Sequence, residues 1–164
     1  MDLINFENTT PEQRDELAER LDELLQNYEV YHNNVRRIHW DKGLHPFLDM
    51  NGKVDFLHKV SSNTQDELAE QVLDLGKTPS IGTITPNYLP SKLWIPSVEF
   101  VEGFDHAIQL LVSTSRTLLD EVKDIFYLAA EYEENSTMDL MNKLAQQLSM
   151  TAVVFSSVRL ATLN

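Results

Sequence analysis

Four long amphipathic stretches, with one long proline-rich connection after the second, constrain the fold of this chain most. The first stretch begins at Thr10-Pro11-Glu12-Gln13, a typical helix start with proline at the first helical position. Its apolar residues then recur at steps near three and four, which predicts a helix that ends near His39. They are Leu17, Leu21, Leu24, Leu25, Tyr28, Tyr31 and Val35.

The second stretch carries a similar apolar stripe, which predicts a second helix that stops at Gly76. We expect the break between the two helices at Gly43, Pro46 and Gly52. The stripe of the second helix consists of Val54, Leu57, Ser61, Thr64, Leu68, Val72 and Leu75. The connection between these helices is short, so they are predicted to be neighbours in the fold.

Residues 77–97 contain four prolines and Gly82, so no long helix can run through them. A third helix is predicted from Pro96-Ser97, and a fourth from Thr137 to about Leu160, on either side of an acidic turn at 131–136. The chain shows no strand-like alternation of any length. We therefore expect an all-α, ferritin-like four-helix bundle, with a long crossover between the second and third helices that has room for a short helix.

Composition and charge exclude several classes of protein. The 164 residues fit one domain, 1–164, whose residues 1–10 form a short N-terminal extension. The absence of cysteine excludes disulfides and thiolate metal sites. The first ten residues have no lysine, no arginine and no apolar run, so we expect a cytoplasmic protein without membrane contact. The net charge of −13 repels DNA and attracts cations, which argues against a role in DNA binding.

Two acidic residues of the second helix point away from its apolar stripe. At about 100° per residue, Asp66 and Glu70 lie about 160° from Leu68, whereas the other stripe residues lie within about 40° of it. A metal centre inside one bundle would need inward carboxylates, usually with Glu-x-x-His on two helices. That motif occurs once, as Glu29-x-x-His32, with Asp55-x-x-His58 as a partial match. We therefore reject a metal centre inside the bundle.

On residue chemistry alone, two interpretations stay open for the polar candidates. An acidic pair four residues apart is most often a solvated helix face, and the alternative is a metal site that a neighbouring subunit completes. His39 lies about 20° from Tyr28, on the apolar stripe of the first helix, where a histidine is more often a hydrogen-bonded core or interface residue than a metal ligand. Near the start of the fourth helix, an acidic cluster either lines a pore for cations or forms an exposed turn; it consists of Glu131, Glu133, Glu134 and Asp139.

In their order and spacing, several motifs resemble those of the Dps family, the mini-ferritins that protect DNA in starved cells. The first is Leu24-Leu25-Gln26-Asn27-Tyr28, followed by His39-Trp40-Asp41-Lys42-Gly43. Then come Asp66-Glu67-Leu68-Ala69-Glu70 and Leu75-Gly76-Lys77-Thr78-Pro79. Gly82-Thr83, Tyr88-Leu89 and Ser136-Thr137-Met138-Asp139-Leu140 also fit, so the resemblance covers roughly residues 15–160.

The resemblance implies a homo-oligomer, a hollow dodecamer of ferritin-like bundles. It also implies a ferroxidase centre between two-fold-related subunits, where His39 of one subunit faces Asp66 and Glu70 of the other as the catalytic, metal-binding residues. Such a centre oxidises Fe(II) with hydrogen peroxide or dioxygen, and the cage stores the Fe(III). The predicted outward position of Asp66 and Glu70 agrees with a site between subunits.

One position departs from the family pattern. The family normally has a second histidine twelve residues after the first, and this chain has Asn51 there. An amide oxygen is a weaker ligand for Fe(II) than an imidazole, so Asn51, His45 and His58 are kept as additional candidate ligands. The alternative function is therefore a cage or metal-binding protein that kept the fold and lost full ferroxidase activity.

Overall fold

The computed structural model describes residues 8–44, 48–80, 95–98 and 100–162. Within them it contains helices and turns and no strand. Helices α1 and α2 pack along each other, as do α3 and α4, and the two pairs meet through α1–α3 and α2–α4 contacts. The all-α, ferritin-like four-helix bundle is confirmed. The helices are α1, Pro11–Trp40; α2, Leu48–Asp74; α3, Phe104–Glu131; and α4, Asn135–Thr162, with a 3-10 turn at Lys42–Leu44.

Helix α1 begins and ends close to where the sequence predicts. The Thr10 hydroxyl accepts the backbone N–H of Gln13, whose side chain accepts the backbone N–H of Thr10 in return. This capping box satisfies two N–H groups that the first helical turn leaves without partners. The helix then continues to Trp40, one residue beyond the predicted end at His39.

The start of α2 differs from the prediction. The helix begins at Leu48, so Gly52, predicted as part of the break, lies inside it. Glycine can adopt helical backbone angles at a cost of about 1 kcal/mol relative to alanine, which burial of the helix's apolar stripe outweighs. The predicted stop is confirmed, because Gly76 has a φ of 87° and the Lys77 N–H donates to the Val72 carbonyl at 3.1 Å. Pro46 lies outside the described residues.

Helix α3 begins seven residues later than the predicted Ser97, at Phe104. The segment before α3 is hydrogen-bonded to Asn34 of α1. The Asn34 side-chain amide donates to the Pro96 carbonyl at 2.8 Å and accepts the Val98 N–H at 3.2 Å. Gly103 then precedes the helix with a φ of 86°, a value that residues with a side chain rarely adopt. The predicted crossover between 81 and 94, with its short helix, lies outside the described residues.

The predicted apolar stripes form the core. All seven predicted stripe residues of the second helix are buried, and other buried polar side chains form hydrogen bonds across the bundle. The Tyr31 hydroxyl lies 3.2 Å from the Ser115 hydroxyl, joining α1 to α3, and the Gln71 amide donates to the Thr137 hydroxyl at 3.1 Å, joining α2 to α4. Buried polar groups that find partners in this way fix how the helices face one another.

Candidate metal centre

Three histidine rings stack between α1 and α2, and we call them the imidazole stack. The ring of His58, on α2, lies between the rings of His32 and His39, both on α1. The ring centroids of His58 and His32 are 4.7 Å apart, and those of His58 and His39 are 5.6 Å apart. The helical spacing predicted that His32 and His39 share one face of α1. It did not predict that His58 packs between them, because that depends on the register of α2 against α1.

Burial keeps the inner part of the imidazole stack neutral. Nδ1 of His32 lies 2.8 Å from the hydroxyl of Ser61, which is buried. Burial, helped by nearby His58 and Arg36, lowers the pKa of His32 to about 4. Burial also lowers the pKa of His58, with His39 and Arg36 adding to the shift. Neutral imidazole is the form that binds metals, so these rings need not lose a proton to do so at neutral pH.

The imidazole stack is not by itself a chelating site. Its ring planes are inclined by only 26° and 14°, so the rings lie face to face and do not direct their nitrogens at a common point. In the described part of one protomer, no group of three or more histidine, aspartate or glutamate side chains is arranged to hold a metal ion. Glu29 belongs to the single Glu-x-x-His motif, and one of its carboxyl oxygens is buried without a hydrogen-bond partner among the described residues. Burial raises the pKa of this carboxyl.

Asp66 and Glu70 lie on the outer face of α2, as the helical geometry predicted. Both are exposed, and neither has a hydrogen bond or an ion pair with the described residues. Leu68 between them is buried, and Glu67 turns towards α4, where it accepts from the Lys143 ammonium at 2.6 Å. The two carboxylates are therefore available to a ligand from outside the protomer.

His39 and the acidic pair Asp66 and Glu70 lie far apart along the axis of the α1–α2 pair. The two helices run antiparallel, because Asp15 pairs with Lys77 while His32 pairs with Ser61. From the level of His32 and Ser61, His39 lies seven residues further along α1, about 10 Å in one direction. Asp66 lies five residues beyond Ser61 along α2, about 8 Å in the opposite direction. About 18 Å therefore separates His39 from Asp66 along the bundle, so one protomer does not bring the predicted ligands together.

The other candidate residues have different surroundings. His58 belongs to the imidazole stack, His45 lies outside the described residues, and Asn51 lies in α2 with a side chain that is not described. In the acidic turn, Glu134 accepts the backbone N–H of Thr137 at 2.7 Å and so caps α4. Its three acidic neighbours, Glu131, Glu133 and Asp139, are exposed.

Comparison with known proteins finds a similar sequence and several similar structures. No protein-family model matches the chain. A protein of Haemophilus influenzae, described as uncharacterized, is 29% identical over 146 residues, which cover 87% of each chain. A Dps protein of Vibrio cholerae, described as a member of a broad superfamily of ferritin-like diiron-carboxylate proteins, has a TM-score of 0.83. It is 26% identical, over 91% of this chain and 92% of its own.

A second structure has the same fold at lower sequence identity. The Dps protein of Bacillus brevis has a TM-score of 0.78 and is 21% identical, over 89% of this chain and 96% of its own. Across the ranges that the structure describes, no helix combines the length and apolar character that crossing a membrane requires. The fold and the ordered motifs agree, and this chain has the ferritin-like fold of these Dps proteins.

Proposed function

We propose that this protein is a mini-ferritin that binds Fe(II) between two copies of itself, oxidises it, and stores the Fe(III) inside a hollow cage. The observation that carries the proposal is the separation of its candidate ligands. Along the α1–α2 pair, His39 lies on one side of the level of His32 and Ser61. The unpaired Asp66 and Glu70 lie on the other side of that level. No histidine among the described residues forms a metal-binding group with these carboxylates, so a second copy would supply the imidazole.

A two-fold axis supplies that geometry. Consider an axis perpendicular to α1 and α2 at the level of His32 and Ser61. It carries His39 of the second copy to about 10 Å below this level, between Asp66 at about 8 Å and Glu70 at about 14 Å. The same operation brings the first copy's His39 to the second copy's carboxylates, so each pair of subunits would hold two equivalent sites.

The exposed surface next to the candidate ligands also suits contact between copies. Trp40, beside His39, is 63% exposed, and Leu73, one helical turn after Glu70, is 55% exposed. Large apolar side chains of this kind on one surface often mark an interface. The two-fold operation described above carries Trp40 to the end of the bundle that holds Leu73, where both would lose contact with water.

The donor set suits Fe(II). Two carboxylates and one imidazole are ligands that iron accepts, and they leave open positions where an oxidant can approach. Asp66 and Glu70 would balance the charge of the ion, and His39 would complete its binding. With hydrogen peroxide, two Fe(II) ions each give up one electron, the O–O bond breaks, and the Fe(III) ions hydrolyse to mineral with release of protons. The net charge of −13 attracts the incoming cations.

A mixing experiment tests the shared site directly. His39→Ala alone, and Asp66→Ala with Glu70→Ala, should each reduce peroxide-driven Fe(II) oxidation to the rate of protein-free buffer. Co-expression of the two variants should restore about a quarter of the wild-type rate, because half of the pairs are mixed and each mixed pair keeps one intact site. Asp120→Ala, which removes an exposed carboxylate of α3, is the matched control. If co-expression restores no activity, the ligands are not shared between subunits.

The size of the assembly is tested separately. Light scattering should give a mass of twelve times 18.8 kDa for a dodecamer, and a stable monomer would exclude the shared site. The second candidate function is that of a cage or metal-binding protein without rapid Fe(II) oxidation, because Asn51 replaces the second histidine of the family pattern. An inactive cage in which Asn51→His starts rapid oxidation would establish this second function and exclude the first.

A further inference from the structure

A groove of about 630 Å³ runs between the first half of α3 and the last turns of α4. Its volume falls in the range of sites that bind small molecules, about 300–1,000 Å³. Both charged side chains that line it are arginines, and no carboxylate of the described residues does so, although the chain has 26 acidic and 13 basic residues. The groove is therefore a basic site on an acidic protein. Its polar lining consists of Gln109, Ser113 and Arg116 of α3 and of Ser156 and Arg159 of α4.

One end of the groove offers hydrogen-bond donors that the described part of the chain leaves unused. The Arg116 guanidinium is exposed and forms no hydrogen bond or ion pair with the described residues. The side chains of Gln109 and Ser156 also have no hydrogen-bond partner among them. A guanidinium has five N–H donors and no acceptor, in a planar arrangement that matches the two oxygens of a carboxylate. This end of the groove therefore suits an anionic group.

At the other end, Arg159 already has an acidic neighbour. Its Nε lies 3.8 Å from Oδ1 of Asp105, a residue that does not line the groove. This distance is too long for a hydrogen bond, and both side chains are well exposed, so the pair contributes little stability. Asp105 therefore competes weakly with a ligand for Arg159.

The two arginines stand far apart along the groove, and an apolar floor lies between them. The contact with Asp105 places Arg159 near the start of α3, whereas Arg116 lies eleven residues after Asp105, about 16 Å further along the helix. Side chains of a helix lean towards its N-terminus, so the two positive charges lie about 10–16 Å apart. Buried Ile108 and half-buried Val112 line the stretch between these levels.

We propose that this groove binds a linear dicarboxylate, with one carboxylate on Arg116, the other on Arg159, and an apolar chain over Ile108 and Val112. One guanidinium at each end matches one carboxylate through two parallel N–H···O bonds. A compact anion cannot reach both arginines, and an anion with a single charged end uses only one of them. The groove lies on α3 and α4, whereas the candidate iron ligands lie on α1 and α2, so the proposal stands independently of iron oxidation.

Two ligands that differ by one carboxylate test the proposal on the assembled protein. Sebacate and decanoate share a chain of ten carbons, which at about 1.5 Å per bond extends to about 11 Å, and only sebacate is charged at both ends. We expect sebacate to bind about fivefold more tightly than decanoate in titration calorimetry at neutral pH and low salt, because one more exposed ion pair has about this effect. Added salt should reduce the difference, because it screens the ion pairs.

Four variants separate the two arginines from the overall charge of the protein. Arg116→Gln and Arg159→Gln should each abolish the preference for sebacate, because each leaves one carboxylate without a partner. Lys123→Gln removes the same charge from an exposed position of α3 outside the groove and should keep the preference. Asp105→Asn removes the competing carboxylate and should tighten the binding of sebacate.

Four results would each overturn the proposal. They are the absence of binding of either ligand, equal binding of both ligands to the wild-type protein, a preference for sebacate that survives both arginine substitutions, and an equal loss of preference in Lys123→Gln. A second copy that covers the groove in the assembly would produce the first result, and an effect of net charge alone would produce the last.

Discussion

The ring of His39 stacks on the ring of His58, with their planes inclined by 14° and their centroids 5.6 Å apart. One residue comes from the end of α1 and the other from α2, so this contact fixes the orientation of His39 only when the two helices pack. In the proposed iron site, His58 can therefore act by positioning His39 or by binding iron itself. The two roles predict different results for two substitutions.

We expect His58→Phe to keep the rate of Fe(II) oxidation within about twofold of wild type, because a flat ring still packs against His39. His58→Ala should slow oxidation by about tenfold or more. Removal of groups that orient metal ligands has an effect of this size in other metal-binding proteins. Stopped-flow absorbance of Fe(III) formation measures both rates. If His58→Phe is as slow as His58→Ala, His58 is a ligand and not a positioning residue.

The low pKa of His32 predicts a loss of stability in mild acid. The unfolded chain takes up a proton on this ring as the pH falls below 6.5, whereas the folded protein resists until about pH 4. The unfolded state therefore binds more protons within this window, and the free energy of unfolding falls as the pH falls from 6.5 towards 4. His32→Asn cannot titrate, so its stability should depend less on pH over the same range.

Urea unfolding of the metal-free protein at several pH values measures this difference. Asn33→Ala, at the exposed neighbouring position, is the control and should keep the pH dependence of the wild type. Equal slopes for the wild type and His32→Asn would show that the folded protein does not hold this imidazole neutral.

Two glycines of the α2 region should respond in opposite ways to alanine. Gly52 lies inside the helix, and an added Cβ would meet no atom within 4 Å. Gly52→Ala should therefore raise the free energy of unfolding by about 1 kcal/mol, because alanine favours the helix. Gly76 has a φ of 87°, so Gly76→Ala should lower it by about 1–2 kcal/mol. Chemical denaturation of the two variants side by side provides the measurement, and a loss of stability in Gly52→Ala would contradict the position of Gly52 in α2.

The unpaired acceptor of Gln147 predicts a stabilising substitution. Gln147→Leu has nearly the same volume and removes a buried oxygen without a donor, so the ligand-free protein should gain about 1 kcal/mol of stability. Gln146→Leu, on the exposed side of α4, should change stability by less than about 0.5 kcal/mol. Thermal unfolding followed by circular dichroism compares the two. A Gln147→Leu protein less stable than wild type would mean that a donor already satisfies this oxygen.

The sequence by itself determined the helices and the faces they bury. Residues such as Leu68 recur with the helical period because a helix in water must bury one stripe, and this constraint is local. The same period correctly predicted that Asp66 and Glu70 point outwards. It predicted two helix boundaries poorly, at Gly52 and at Phe104, because packing and the hydrogen bonds of Asn34 outweigh local backbone preferences there.

Only the tertiary structure decided how α1 and α2 align, and the site depends on that alignment. The His32–Ser61 contact marks the register, which brings His58 against His39 and leaves His39 about 18 Å from Asp66 along the bundle. Residues far apart in sequence meet through packing, and no helical period encodes the height at which one helix lies against another.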